Sequence, residues 1–236
     1  MAYGFKPCTP NWRASPSFII ATVAVGLFTD LLLYGIVIPV LPFMLHDRLA
    51  IPASQLQPYT SRLLAAYAGA STIFALPAGW AADKIGSRQP PFLAGVVLLF
   101  GATTLLAFGR TITLFYVARL LQGMAAAIVW TTGCAMIQDT VGPRQLGETI
   151  GTIFCFISAG DLIAPLLGGV LYDMGGLVTL YGVSSALLAV DLGMRMLVVD
   201  ARKAKTYSQS QFNQRDNADD SSTTAAKRSL QNHQTT

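Results

Sequence analysis

Residues 17–45 read SFIIATVAVGLFTDLLLYGIVIPVLPFML, and the only charge in the stretch is Asp30. A helix rises about 1.5 Å per residue and the hydrocarbon core of a bilayer is about 30 Å thick, so this segment is long enough to cross one. Five more segments of the same kind follow, at 59–82, 92–109, 112–138, 147–173 and 177–199. Ala, Leu and Gly dominate them, and the ten-residue alternation of a membrane barrel is absent. The expectation is an all-α membrane protein with six transmembrane helices.

The composition agrees. The chain has 236 residues, 53% of them apolar and 12% charged, the latter about half the share of a soluble domain. Ten charges fall in the last 37 residues and two in the first 16, leaving 16 for the 183 residues from Ser17 to Val199. A water-soluble surface needs more ionised groups than that. The organisation is then a cytosolic segment 1–16, a transmembrane domain 17–199 and a disordered cytosolic tail 200–236. The tail is rich in Gln, Asn, Ser and Thr and lacks apolar periodicity. The N-terminal segment lacks the apolar core of a secretory signal.

The net charge of +4 does not point to nucleic acid, because the basic residues sit at the ends of the apolar runs. One side of the membrane holds Lys6, Arg13, Lys84, Arg88, Arg144, Arg202, Lys203 and Lys205; the other holds Arg48, Arg110 and Arg62. That asymmetry places both termini in the cytoplasm. Cys8, Cys134 and Cys155 include no close pair, and His46 and His233 lie far apart, so neither a disulfide framework nor a metal site is expected. No cofactor is expected either.

Asp30, Arg119, Asp161 and Asp191 lie inside predicted spans, where each charge costs a few kcal/mol without a partner or a wet cavity. Asp30, Arg119 and Asp161 fall at similar depth, which favours one shared polar cavity over three separate ion pairs. Asp30 and Tyr34 share a helix face, below Pro39 and Pro42, which are expected to bend the span. Arg119, Gln122, Ala126 and Trp130 form a stripe along the fourth span. Arg195 follows Asp191 by one turn, so those two are expected to pair while Arg195 reaches toward the interface.

These motifs, in this order, resemble the N-terminal half of a major facilitator superfamily transporter. The likeness is greatest to proton-coupled drug and amine antiporters and to fungal multidrug exporters, and it covers all six spans. Gly79-Trp-Ala-Ala-Asp83-Lys84-Ile-Gly86-Ser87-Arg88 is similar to the family's cytoplasmic gating loop, with Ser87 where a basic residue is usual. Gly79 would allow close helix approach, Gly86 a tight turn, and Lys84 and Arg88 would stay at the surface. Asp30 followed by Pro39 and Pro42 resembles the vesicular-amine pattern, and Arg119-Leu-Leu-Gln122-Gly123 the family's buried arginine motif. In the fifth span Gly151, Gly160, Ala164, Pro165, Gly168 and Gly169 match the antiporter signature, with Ala164 in place of Gly.

The resemblance implies transport, without catalysis, of small organic molecules: efflux of a drug, toxin or metabolite by proton-coupled antiport. Asp30, Tyr34, Arg119, Gln122, Trp130 and Asp161 would form the substrate and proton pathway, with Asp161 either a second titrating site or a contact to another half. It also implies that the chain corresponds to one half of a two-half protein and that Gly160, Ala164 and Gly168 pack against a helix of the other half. The partners would be the lipid bilayer, substrate, protons, and a second half or a homodimer. The plasma membrane is the expected compartment, with vacuolar or vesicle membranes as alternatives. Two other classes compete. One is a transport-inactive membrane fragment or scaffold. The other is an intramembrane aspartyl hydrolase built on Asp30 and Asp161, whose Gly-x-Gly-Asp signature Ser158-Ala159-Gly160-Asp161 lacks at its first position.

Overall fold

A computed structural model describes residues 15–85 and 87–197. Among them the chain is entirely helical, with four elements: α1 (Pro16–Leu49), α2 (Ala53–Lys84), α3 (Gln89–Phe108) and α4 (Ile112–Leu197). All four are long and apolar enough to cross a membrane. Residues 1–14, Gly86 and 198–236, including both expected cytosolic segments, lie outside the described residues.

Proline opens two of the helices. Pro16 starts α1 and Pro90 and Pro91 lie in the first turn of α3, where the missing N–H would be unpaired in any case. Pro39 and Pro42 do not break α1, which runs through both to Leu49 and ends where Ala50 adopts a left-handed conformation.

The 86 residues of α4 differ from the expectation of three separate helices. The run is helical except at two breaks, where the backbone leaves helical geometry at Gly142 (φ 71°, ψ 177°) and again at Gly175 and Gly176. Positive φ at Gly142 and Gly176 is open to glycine at little cost, and Pro143 restarts the helix at once. The connections are thus breaks of one residue and of two residues rather than loops. They divide α4 into stretches 112–141, 143–174 and 177–197, and the breaks fall inside the predicted connections.

All three stretches pack on α1, which lies at the centre. Near its start Ile19, Val23 and Leu27 meet Phe92 of α3 and Val129, Ile137, Ile153 and Ile157 of α4. Near its end Leu41, Met44 and Leu45 meet Leu63, Leu106, Phe115 and Leu180. In contrast, α2 turns Ile73, Leu76 and Trp80 outward, and the second stretch of α4 does the same with Leu162 and Leu166.

Candidate functional site

Asp30 sits mid-way along α1 and is 2% exposed. Trp130, on the first stretch of α4, donates its indole N–H to Asp30 Oδ2 at 2.9 Å. Indole is a donor only, so the bond orients the carboxylate in either protonation state without neutralising it. The indole is held in turn, edge-on to Phe154 at 5.6 Å between ring centroids. No basic side chain forms an ion pair with Asp30 among the described residues.

One turn further along α1, Tyr34 stacks on Tyr67 of α2 with centroids 4.6 Å apart. Behind this pair lies Arg119, 1% exposed. Its Nε and Nη2 are enclosed and make no hydrogen bond. The phenols of Tyr181, Tyr34 and Tyr67 are the polar groups closest to it electrostatically, and no carboxylate pairs with it among the described residues. Gln122, expected beside Arg119 in a cavity lining, instead donates from Nε2 to Thr103 Oγ1 on α3 at 3.2 Å and is buried there.

The gating loop is also arranged differently from the expectation. Arg88 does not stay at the surface. It is 6% exposed and binds Asp83 Oδ1 through Nη2 at 2.9 Å and Asp139 Oδ2 through Nε at 3.3 Å. Asp139 closes the arrangement from α4. Lys84 does remain outside, with its ammonium 3.9 Å from the Trp80 ring centroid. Nothing approaches Gly79 within contact distance of a Cβ, so close helix approach does not explain it here, and Gly86 lies outside the described residues.

The small-residue stripe of the second α4 stretch packs against α1 within this chain rather than awaiting a helix from elsewhere. A Cβ on Gly160 would fall 2.1 Å from the Phe28 ring, and one on Gly168 only 2.4 Å from the Ile36 carbonyl oxygen. Ala164 meets Gly35 between them. Such residues let helices approach to backbone contact, and α1 supplies that backbone. Gly151 and Gly169 have open space beside them, and Pro165 is exposed next to the stripe. Asp161 does not join Asp30 and Arg119 in one enclosed cavity. It is exposed, with Oδ1 3.5 Å from where a Cβ on Gly35 of α1 would lie, and no hydrogen bond joins it to Asp30 among the described residues. A proton-sharing dyad has no geometry to support it.

A family model of the Major Facilitator Superfamily matches residues 23–231. The chain belongs to the major facilitator superfamily. It is 57% identical over 197 residues to the MFS-type transporter ppzB of Metarhizium rileyi, covering 84% of this chain and 41% of that protein. It is 30% identical over 162 residues to a probable vesicular acetylcholine transporter-B of Danio rerio, covering 67% and 33%. The crystal structure of the human organic anion transporter MFSD10 superposes with a TM-score of 0.66 at 18% identity, over 79% of this chain and 48% of that one. The chain therefore spans less than half the length of the curated relatives it matches, and the family is one of transporters rather than enzymes.

Sequence reasoning missed several polar residues of this major facilitator chain. Asp139, Tyr67, Tyr181 and Thr103 each lie on a different turn from the motif they serve, so no local spacing exposes them. Asp191 and Arg195 pair as expected, Nε lying 2.9 Å from Oδ2. Arg195 does not reach the interface, however. It is 2% exposed, stacked 3.4 Å above the Phe92 ring centroid and pressed against Gly26, where a Cβ would overlap its Nη2. The missing side chain at Gly26 was the available signal, legible only once α1 and the third α4 stretch are known to touch.

Proposed function

We propose that the chain is one six-span half of a proton-coupled antiporter that exports small organic molecules, with the three stretches of α4 acting as the fourth, fifth and sixth spans. The observation that carries this reading is Asp30, a buried carboxylate with an indole donor and no ion-pair partner among the described residues, the nearby Arg195 being paired to Asp191. A carboxylate so placed holds either a proton or the cationic group of a substrate, and each occupant excludes the other. Loading one on one side of the membrane and the other on the opposite side is exchange. The vesicular acetylcholine transporter among the relatives is named for a cationic substrate, which supports a cation at Asp30.

Around this centre the remaining residues take supporting roles. Trp130 orients Asp30, and Tyr34 and Arg119 line the pathway beside it. Gln122 acts only through Thr103. Asp161, exposed beside Gly35 of α1, is a contact to a second half. Arg88 holds Asp83 and Asp139 together when the cytoplasmic side is closed and releases them when it opens. Both termini lie in the cytoplasm and the plasma membrane is the site of action.

The reading is tested in sealed vesicles containing the chain and a second six-helix half, loaded with a pH-sensitive dye. Addition of an organic cation releases protons in the wild type, and Asp30→Asn abolishes the release while inserting normally.

A further inference from the structure

Arg119 is left unexplained by a cation at Asp30. A guanidinium buried to 1% exposure, with Nε and Nη2 unbonded and no carboxylate paired with it among the described residues, is desolvated without a compensating charge. The phenols of Tyr34, Tyr67 and Tyr181 act on it electrostatically without supplying an ion-pair partner. The arrangement is stable when empty and strongly attractive to a carboxylate. Asp30 carries the opposite charge, and no ion pair joins the two among the described residues. Tyr67 links them, its phenol under the electrostatic influence of both Asp30 and Arg119. Tyr34, stacked on Tyr67, is one helical turn from Asp30, about 6 Å along α1. Tyr34, Tyr67 and Trp130 are all half-buried, forming an accessible aromatic wall with a fixed charge behind each end.

Building on the proposed transport pathway, we infer that its ligand is bipolar, with an ammonium group bound at Asp30 and a carboxylate bound at Arg119, its body lying along Tyr34 and Tyr67. A purely cationic ligand would leave Arg119 uncompensated, and a purely anionic one would leave Asp30 with only the influence of Arg195, which is already paired to Asp191. A single molecule with both charges, about a helical turn or more apart, satisfies both and is drawn against the aromatic wall. The same carboxylate chemistry can be supplied by a side chain of a second half, and the experiment separates the two sources.

Isothermal titration calorimetry on the purified full chain in mild detergent, at neutral pH, compares γ-aminobutyrate and ε-aminocaproate with butylamine and butyrate. At least one amino acid is expected to bind ten-fold or more tighter than either single-charge control. Arg119→Gln brings its affinity down to that of butylamine, leaving butylamine unchanged, and Asp30→Asn brings it down to that of butyrate. Tyr67→Phe, which keeps the packing and removes one hydroxyl, gives a smaller loss and stands in if Arg119→Gln does not fold. Butylamine binding as tightly as both amino acids, or an amino acid affinity untouched by Arg119→Gln, assigns the guanidinium to a protein carboxylate and overturns the inference. Absence of binding by every probe overturns it too. The assay reads binding and not flux, so selective amino acid binding without transport sinks only the transport reading, and transport with amine-only binding sinks only this one.

Discussion

Gly168 and Gly169 are neighbours in one helix, yet replacing each by alanine is expected to have opposite effects. A Cβ on Gly168 would lie 2.4 Å from the Ile36 carbonyl oxygen and 3.0 Å from that residue's carbonyl carbon and Cα. All three are backbone atoms in the middle of α1, so relief requires the helices to separate by about 1 Å, and overpacking of this kind costs about 1–3 kcal/mol. A Cβ on Gly169 meets nothing within 4 Å. There alanine contributes only its better helix propensity, about 0.5–1 kcal/mol in favour. At roughly 2–4 °C per kcal/mol for a chain of this size, Gly168→Ala lowers the apparent melting point by about 2–12 °C and Gly169→Ala leaves it equal or slightly raised. Heating in detergent followed by fluorescence-detected gel filtration measures both. Equal melting points, or a larger loss for Gly169→Ala, would show that α1 and the second α4 stretch are not in backbone contact.

Asp191→Asn should lower stability by about 3–5 kcal/mol, because it strands the buried Arg195 guanidinium, whereas Asp191→Leu with Arg195→Met should recover most of the loss; a mild single variant would mean that Arg195 escapes to the interface after all. At the gating loop, Asp83→Asn should cost less than about 1 kcal/mol, its side chain being 74% exposed, and Asp139→Asn more; labelling of a cysteine placed at Ser87 should rise in the second variant and not the first. Membrane-impermeant thiol reagents applied to intact cells should leave Cys8 unmodified until the membrane is permeabilised, as expected for a cytoplasmic N-terminus, and immediate labelling would reverse the topology.

The helical membrane class was legible because it rests on composition and run length, which act locally. Breaks at Gly142 and Gly175–Gly176 were legible for the same reason, as charged or glycine-rich interruptions between apolar runs. Local periodicity also found Asp30, Tyr34, Arg119 and Trp130. It could not say that Trp130 bonds Asp30 from a hundred residues away, or that Gln122 turns to Thr103. The small-residue stripe marks a close helix contact in any sequence, but which helix arrives is a tertiary fact, and here it is α1. Arg88 and Arg195 show the same blind spot for basic residues near a membrane boundary. Positive charge counts fix the side of the membrane, yet an acidic partner on another turn can draw the guanidinium inward.

The central claim is that Asp30 carries the exchanged proton or the substrate's cation, never both. Proton release on substrate addition, recorded in one vesicle preparation for the wild-type chain, Asp30→Asn and Trp130→Phe, each supplied with a second half, tests it most directly. The account predicts stoichiometric release in the wild type, none with Asp30→Asn, and reduced release with Trp130→Phe, where the carboxylate loses its one indole bond. Wild-type release from Asp30→Asn would contradict it.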